Sequence, residues 1–301
     1  MDHIVFFSSG AASWATAKRV AASQGTENLK LLFTDTLNED ADNYRFLIEG
    51  AANVLGAEIS LTLRQWAAAV PPVWEIEARK EEIPKLAERA MEELPGLVWL
   101  IDGRDVWDVF RDVRYIGNNR VDPCSRVLKR ESARKWIKTN YNALPANEAC
   151  LYLGLDWSEE HRGDAPRQHW FPFQVRYPLM ERPLLTKQDI LDWAELDGVN
   201  PPQMYSEEFD HANCAGFCVK TGQGQFYRLL MNRPEVYAYH ERRQEEVMEQ
   251  TGITNGFIRK TIDKELHYLT LRQFREQVQG GEQVDMFSVG GCDCFMPEEA
   301  A

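Results

Sequence analysis

Apolar positions in the first third of the chain alternate between short unbroken runs and helical spacing. Residues 4–7 (Ile-Val-Phe-Phe) form one apolar run, which stops at the small-residue stretch Ser8-Ser9-Gly10-Ala11-Ala12-Ser13. Residues 15–22 then space their apolar side chains as a helix does. A second run covers 29–33 and closes on Thr34-Asp35-Thr36. Helical spacing returns over 40–55 through Tyr44, Leu47 and Ile48, and Ile59, Leu61 and Leu63 alternate as a third strand over 58–63. Strand, helix, strand, helix, strand at these intervals predicts parallel strands joined by crossover helices, an α/β fold with a Rossmann-like parallel sheet and flanking helices.

Further along, 64–118 reads as a largely helical insertion rich in Trp and charge, with Trp107, Val109 and Phe110 as its core. A helix is predicted over 129–141 and a buried strand over 150–155, which makes Cys150 a core residue. Beyond Pro178 the pattern changes. Thr186 caps a helix over 186–196, Pro201-Pro202 breaks the chain, and helices follow at 222–231 and 234–250. The chain thus divides into a nucleotide-binding region, 1–200, and a helical, cysteine-containing region with a glycine-punctuated tail, 201–301.

Composition narrows the function classes. Over 301 residues, 44% hydrophobic and 27% charged positions are ordinary for a soluble enzyme. The start carries no basic segment and its apolar run is short, which predicts neither a leader nor an anchor, and a cytoplasmic, membrane-free protein. A formal charge of −13 argues against a general nucleic-acid-coating role. One local basic stretch, 120–138, keeps a nucleic-acid acceptor open through Arg120, Arg126, Lys129, Arg130, Arg134, Lys135 and Lys138. A homo-oligomer is equally open.

Six cysteines are too few for a disulfide scaffold in a chain of this length, and their uneven placement suggests metal or sulfur chemistry. Cys214 and Cys218 flank Ala215-Gly216-Phe217, a turn able to bring two thiolates onto one metal. Cys124 precedes basic Arg126 and Lys129, which favour its thiolate. Four thiolates hold either zinc or an iron–sulfur cluster. With Cys124, Cys214 and Cys218 as three ligands, the fourth is Cys292 or Cys294. The tail cysteines also read as a nucleophile or as free thiols.

The stretch from Ser8 to Ser13, between a strand and a helix start, is a workable anion site, because small residues expose backbone N–H groups and the helix start adds positive potential. A tight strand-to-helix turn is the plainer reading. The stretch is neither a Walker loop nor a Rossmann fingerprint. It resembles the PP-loop, Ser-Gly-Gly-x-Asp-Ser, of phosphoadenylylsulfate (PAPS) reductases, ATP sulfurylases and tRNA-thiolating enzymes. Ser8, Gly10 and Ser13 match, Ser9 stands for a glycine, and Ala12 stands for the aspartate. Phe33-Thr34-Asp35-Thr36 resembles the segment that reads adenine in that family. The run from Gly154-Leu155-Asp156-Trp157 to His161-Arg162 is similar to the reductases' Gly-Ile-Arg segment, with Asp156 in place of the arginine. Tyr177-Pro178-Leu179, Leu185 to Trp193 and Pro201 to Tyr205 follow the reductases' later motifs in order, so the resemblance spans roughly 1–230.

The resemblance implies a HUP-type sheet, ATP or a related adenine nucleotide as ligand, Mg2+ on its phosphates, and a cysteine-held 4Fe-4S cluster with zinc as the alternative. It implies nucleotide contacts from Ser8, Ser9, Gly10, Ser13, Phe33, Thr34, Asp35, Thr36, Gly154, Asp156 and Arg162. Asp35, Cys124 and Cys294 are the expected catalytic residues, and Cys124, Cys214, Cys218 and Cys292 the metal ligands. The expected activity is sulfur transfer or reduction, or substrate activation releasing AMP and pyrophosphate. The rival is a catalytically weakened nucleotide-binding or metal-stabilised interaction module, favoured by Ala12.

Overall fold

A computed structural model of the chain describes residues 1–142, 148–262 and 264–286. The elements run β1 (Asp2–Phe6), α1 (Ala11–Gln24), β2 (Leu29–Asp35), α2 (Ala41–Leu55), α3 (Leu61–Ala68), α4 (Ile76–Glu93), β3 (Leu97–Ile101) and α5 (Val106–Val113). After a π-helical turn at Ser125–Glu131 come α6 (Ser132–Asn140), β4 (Ala149–Tyr152), α7 (Asp164–His169), β5 (Gln174–Arg176) and α8 (Lys187–Leu196). The last elements are α9 (Gln223–Asn232), α10 (Pro234–Thr251), the hairpin β6 (Ile258–Ile262) with β7 (Glu265–Leu269), and α11 (Leu271–Gln279).

Strands β1 to β5 form one parallel sheet in the order β3-β2-β1-β4-β5, with Val5 opposite both Leu31 and Tyr152. Successive strand residues point to opposite faces, and both faces are covered. Val5, Phe7, Leu31, Phe33 and Trp99 enter a core shared with α1, α2, α4 and α8. Ile4, Phe6, Leu32 and Leu151 face a second core with Ala133, Ile137 and Trp170. Burial on both faces is why these strands read as continuous apolar runs rather than alternating ones. The α/β expectation of a parallel sheet with flanking helices holds.

Two expectations in the first half need correction. Residues 58–63 are not a strand. Ser60 caps α3, its hydroxyl accepting from the Leu63 N–H at 3.1 Å while donating to the Glu93 carboxylate. Leu61, expected to face inward, is 70% exposed. A capping serine inside an apparent alternation is a helix start. The third strand of the sheet is β3 instead, so 64–118 is not a purely helical insertion but carries the outermost strand of the sheet. Gly96 precedes it because a Cβ there would stand 2.6 Å from Leu55 Cδ2.

A third core joins Val106, Trp107, Val109 and Phe110 of α5 and Leu128 to Phe217, Phe226, Tyr237 and Phe274. The core of the C-terminal region therefore draws on residues well before position 200. Trp107 and Phe110 are fully buried, as expected of core. The helix expected over 129–141 begins as the π-helical turn, and the strand expected over 150–155 is the shorter β4. Helices α8, capped by Thr186, and α9 and α10 match their expected segments, while the β6–β7 hairpin was not anticipated. No helix among the described residues is long and apolar enough to cross a membrane.

Candidate functional site

The chain moves outward from β1 in one direction through β2 and β3, then returns to place β4 on the other side of β1. Open parallel sheets bind ligands beyond the carboxyl ends of their strands at such a reversal. The segments leaving β1 and β4 flank it here, and they carry the Ser8 to Ser13 stretch and Gly154.

The β1 loop is held from within. Ser13 Oγ accepts the Ser8 N–H at 3.1 Å and donates to the Gly10 carbonyl at 2.8 Å, closing Ser8 to Ser13 into a compact turn. Ser9 takes a left-handed φ of 59°, and its buried hydroxyl has no hydrogen-bond partner. Gly10 supplies no side-chain cap to α1, which leaves first-turn N–H groups for other acceptors. One of them, Ala11 N–H, donates to the Tyr205 hydroxyl at 3.2 Å. Gly154 presses on the same turn, where a Cβ would lie 3.2 Å from the Ala12 carbonyl carbon and 3.3 Å from the Ser13 nitrogen. A side chain there would crowd the turn, so glycine eases the close approach of the segment after β4 to α1.

The four residues closing β2 have different surroundings. Phe33 is core, edge-on to Trp99. Thr34 is buried with its hydroxyl unpartnered. Asp35 is fully buried and accepts three hydrogen bonds, from Leu37 N–H at 2.7 Å, Tyr44 Oη at 2.9 Å and Trp99 Nε1 at 3.0 Å. Its carboxylate is committed to the core between β2, α2 and β3. Burial pushes its pKa up to about 6 despite those three donors. Thr36 lines a cavity together with cysteines.

Beyond β4, Asp156 caps a short 3-10 helix (Trp157–Arg162), accepting from Ser158 N–H at 2.8 Å and Ser158 Oγ at 2.6 Å. Arg162 pairs with Glu159. Both side chains thus have local partners in the 3-10 turn.

Three of the cysteines border one pocket. Cys124, Cys214 and Cys218 line one small cavity, partly open to solvent, together with Thr36, Asp122 and Lys129. Cys124 sits immediately before the π-helical turn, a distortion frequent at functional sites. Lys129 on that turn is buried, its Nζ 3.5 Å from Glu39 Oε1. Cys214 occupies a left-handed turn, with φ 55° and ψ 35° there and φ 48° at Ala215. Among the described residues no group of three or more His, Cys, Asp or Glu side chains stands close enough to hold a metal ion as placed. Cys292 and Cys294 lie outside the described residues. Cys150 is core, its thiol pushed up by burial.

The loop and the cavity are neighbours. A Cβ on Gly10 would lie 3.4 Å from Tyr205 Oη and 3.6 Å from Asn213 Oδ1, and Asn213 directly precedes Cys214. His211, also on this segment, is buried, and burial lowers its pKa to about 4, with the charges of Lys129 and Lys187 adding to the fall. It is a neutral imidazole beside the cysteine turn.

The basic stretch at 120–138 does not form a continuous phosphate-binding surface. Arg130 and Asp122 form a buried two-pronged pair at 3.0 and 3.3 Å. Lys129 faces Glu39, Arg126 pairs with Glu131, and Arg134 lies against His169 and Trp170. Arg120, Lys135 and Lys138 are exposed.

Sequence reading missed Glu39 and Tyr205 as members of this site. Nothing in the local pattern marks Glu39, which only its complete burial sets apart. Tyr205 was legible only as a motif position. Comparison with models of known protein families, with characterised proteins and with solved structures returns no match.

Proposed function

We propose that this chain is an adenine-nucleotide-dependent enzyme of the PP-loop ATP pyrophosphatase type, with a HUP-like sheet, acting in sulfur transfer or reduction or in AMP-forming substrate activation. One observation carries the reading. A strand–small-residue–helix loop at the reversal of a parallel sheet lies beside a cavity lined by three cysteines, with Tyr205 and Asn213 between them. Nucleotide phosphates would take the N–H groups at the start of α1, where the helix dipole favours negative charge. Ser8, Ser9, Gly10 and Ser13 shape that cradle, Thr36 lies on the cavity side, and Mg2+ would arrive chelated by the phosphates, since Asp35 is committed to the core.

Cys124, Cys214 and Cys218 would supply thiolates to an iron–sulfur cluster or to zinc, with Cys292 as the fourth ligand. Thiols lining one cavity suit such a soft metal, which would give the site electron-transfer capacity as a cluster or structural closure as zinc. Cys294 is the proposed nucleophile of the sulfur-transfer branch. The second reading, a nucleotide-binding module with weakened catalysis, draws on Ala12, whose backbone packs on Gly154 and whose side chain offers no oxygen.

Calorimetry with ATP and Mg2+ tests the loop. A Ser13→Ala variant loses the staple between Ser8 and Gly10, and its ATP affinity should fall about tenfold, the equivalent of one such hydrogen bond. Equal affinity in both proteins would place the nucleotide elsewhere. Pyrophosphate release separates the enzyme from the binding module. Metal analysis of anaerobically purified Cys124→Ser, Cys214→Ser and Cys218→Ser variants tests the thiol site, and undiminished metal in all three rejects it.

A further inference from the structure

We infer that Glu39 is the positioning residue of the cysteine site, holding Cys214 in the strained turn that presents its thiol to the cavity shared with Cys124 and Cys218. The inference deepens the reading of these cysteines as one thiol site and rests on it. The observation behind it is conformational. Cys214, Ala215 and Gly216 are three consecutive left-handed residues, with φ of 55°, 48° and 83°. Glycine adopts this region freely, whereas an L-residue with a Cβ is strained there. Such strain persists only where the surroundings over-determine it, and it collects at functional sites.

The restraints come from the β2–α2 connection, some 175 residues earlier. Glu39 Oε2 accepts the Cys214 N–H at 2.5 Å, and Asn38 Nδ2 donates to the Cys214 carbonyl at 3.2 Å. Asn43 Nδ2 donates to the Ala212 carbonyl at 2.6 Å just upstream. Both backbone groups of Cys214 are therefore gripped by side chains of one short segment. Glu39 cannot move away to solvent. It is completely buried, and the fully buried Arg79 donates to its backbone carbonyl at 2.7 Å and to that of Leu37 at 2.9 Å. Lys129 stands opposite its carboxylate, and Cys214 Sγ lies 3.9 Å from Glu39 Oε1. A buried acid is expensive unless paired and hydrogen-bonded, and these partners keep Glu39 where Cys214 needs it. The ligand class served is a thiophile, either a soft metal ion or the metal of a cluster.

The test uses the full chain, reduced and anaerobic, in three forms: wild type, Glu39→Gln and Glu39→Leu. Glutamine keeps an acceptor for the Cys214 N–H and removes the charge. Leucine removes both. Two readouts are taken: Co2+ binding followed through its thiolate charge-transfer absorption, and the iodoacetamide rate at Cys214 relative to Cys150 by peptide mass spectrometry. The expected result is near wild-type behaviour for Glu39→Gln. For Glu39→Leu, Co2+ affinity should drop about 10- to 100-fold, as for other groups that orient metal ligands, and the relative alkylation rate at Cys214 should change severalfold. Wild-type behaviour of Glu39→Leu in the alkylation readout overturns the inference, as does a glutamine variant that fails like leucine. Should the wild type bind no Co2+, the metal reading falls, and the alkylation rates still decide the role of Glu39. Should Glu39→Leu not fold, Asn38→Ala, which deletes only the bond to the Cys214 carbonyl, carries the same comparison.

Discussion

The hydroxyl of Tyr205 accepts the backbone N–H of Ala11, the first residue of α1, at 3.2 Å. A residue from the C-terminal half thereby occupies a donor that a bound phosphate would use. Lys187, 4.9 Å from the Tyr205 ring centre, bonds the Phe209 and Asp210 carbonyls at 3.0 and 2.9 Å and ties the same segment down.

Tyr205→Phe should therefore act in two directions. Without ligand, the orphaned Ala11 N–H costs about 1 kcal/mol of stability, and with the competitor gone the ATP affinity rises about fivefold. Urea melts and calorimetry on the same preparations read both quantities. A lower ATP affinity would mean that the hydroxyl contacts the nucleotide rather than competing with it.

Asp35 makes stability depend on pH. Its carboxyl is pushed up to about 6 by burial, against about 3.9 in an unfolded chain. The folded state thus binds more protons between those values, so the stability it contributes is complete below about pH 4. That contribution is lost as pH rises through about 6. Two pKa units correspond to at most about 3 kcal/mol. Urea denaturation from pH 4.5 to 7.5 should show this decline in the wild type and a flatter profile in Asp35→Asn, and identical slopes would contradict it.

Asp122 and Arg130 are both buried, at 2% and 4% exposure. Asp122→Ala would leave the buried Arg130 guanidinium without its paired carboxylate and should cost about 3–5 kcal/mol. The double variant Asp122→Ala with Arg130→Met should recover part of that loss. A single variant as stable as the wild type would show that the pair is more hydrated than its burial indicates.

With Lys129 and Arg130 turned inward, the basic stretch should not bind nucleic acid on its own. Fluorescence anisotropy with a labelled RNA or DNA duplex at physiological salt should show no saturation up to about 100 μM protein, the weak limit of non-specific binding. Saturable micromolar binding would restore a nucleic-acid acceptor.

Local pattern alone determined the parallel-sheet architecture, because a strand buried on both faces is written as an apolar run and a crossover helix as 3.6-residue spacing. Thr186 and its helix were legible for the same reason, as a cap satisfies its helix with residues three positions away. The strand at 58–63 failed because alternation over six residues was weighed without the serine that starts a helix inside it. Strand β3 was hidden in a charged, Trp-rich segment whose neighbours are helical. The placement of the site was beyond local reading. Cys124, Cys214 and Cys218 could be suspected from spacing, but that they line one cavity, that Glu39 grips Cys214, and that Tyr205 reaches Ala11 are relationships between segments up to 194 positions apart. A one-dimensional pattern records periodicity and caps. It does not record which carboxylate is buried or which basic residues turn inward, because those depend on long-range packing that only the folded chain supplies.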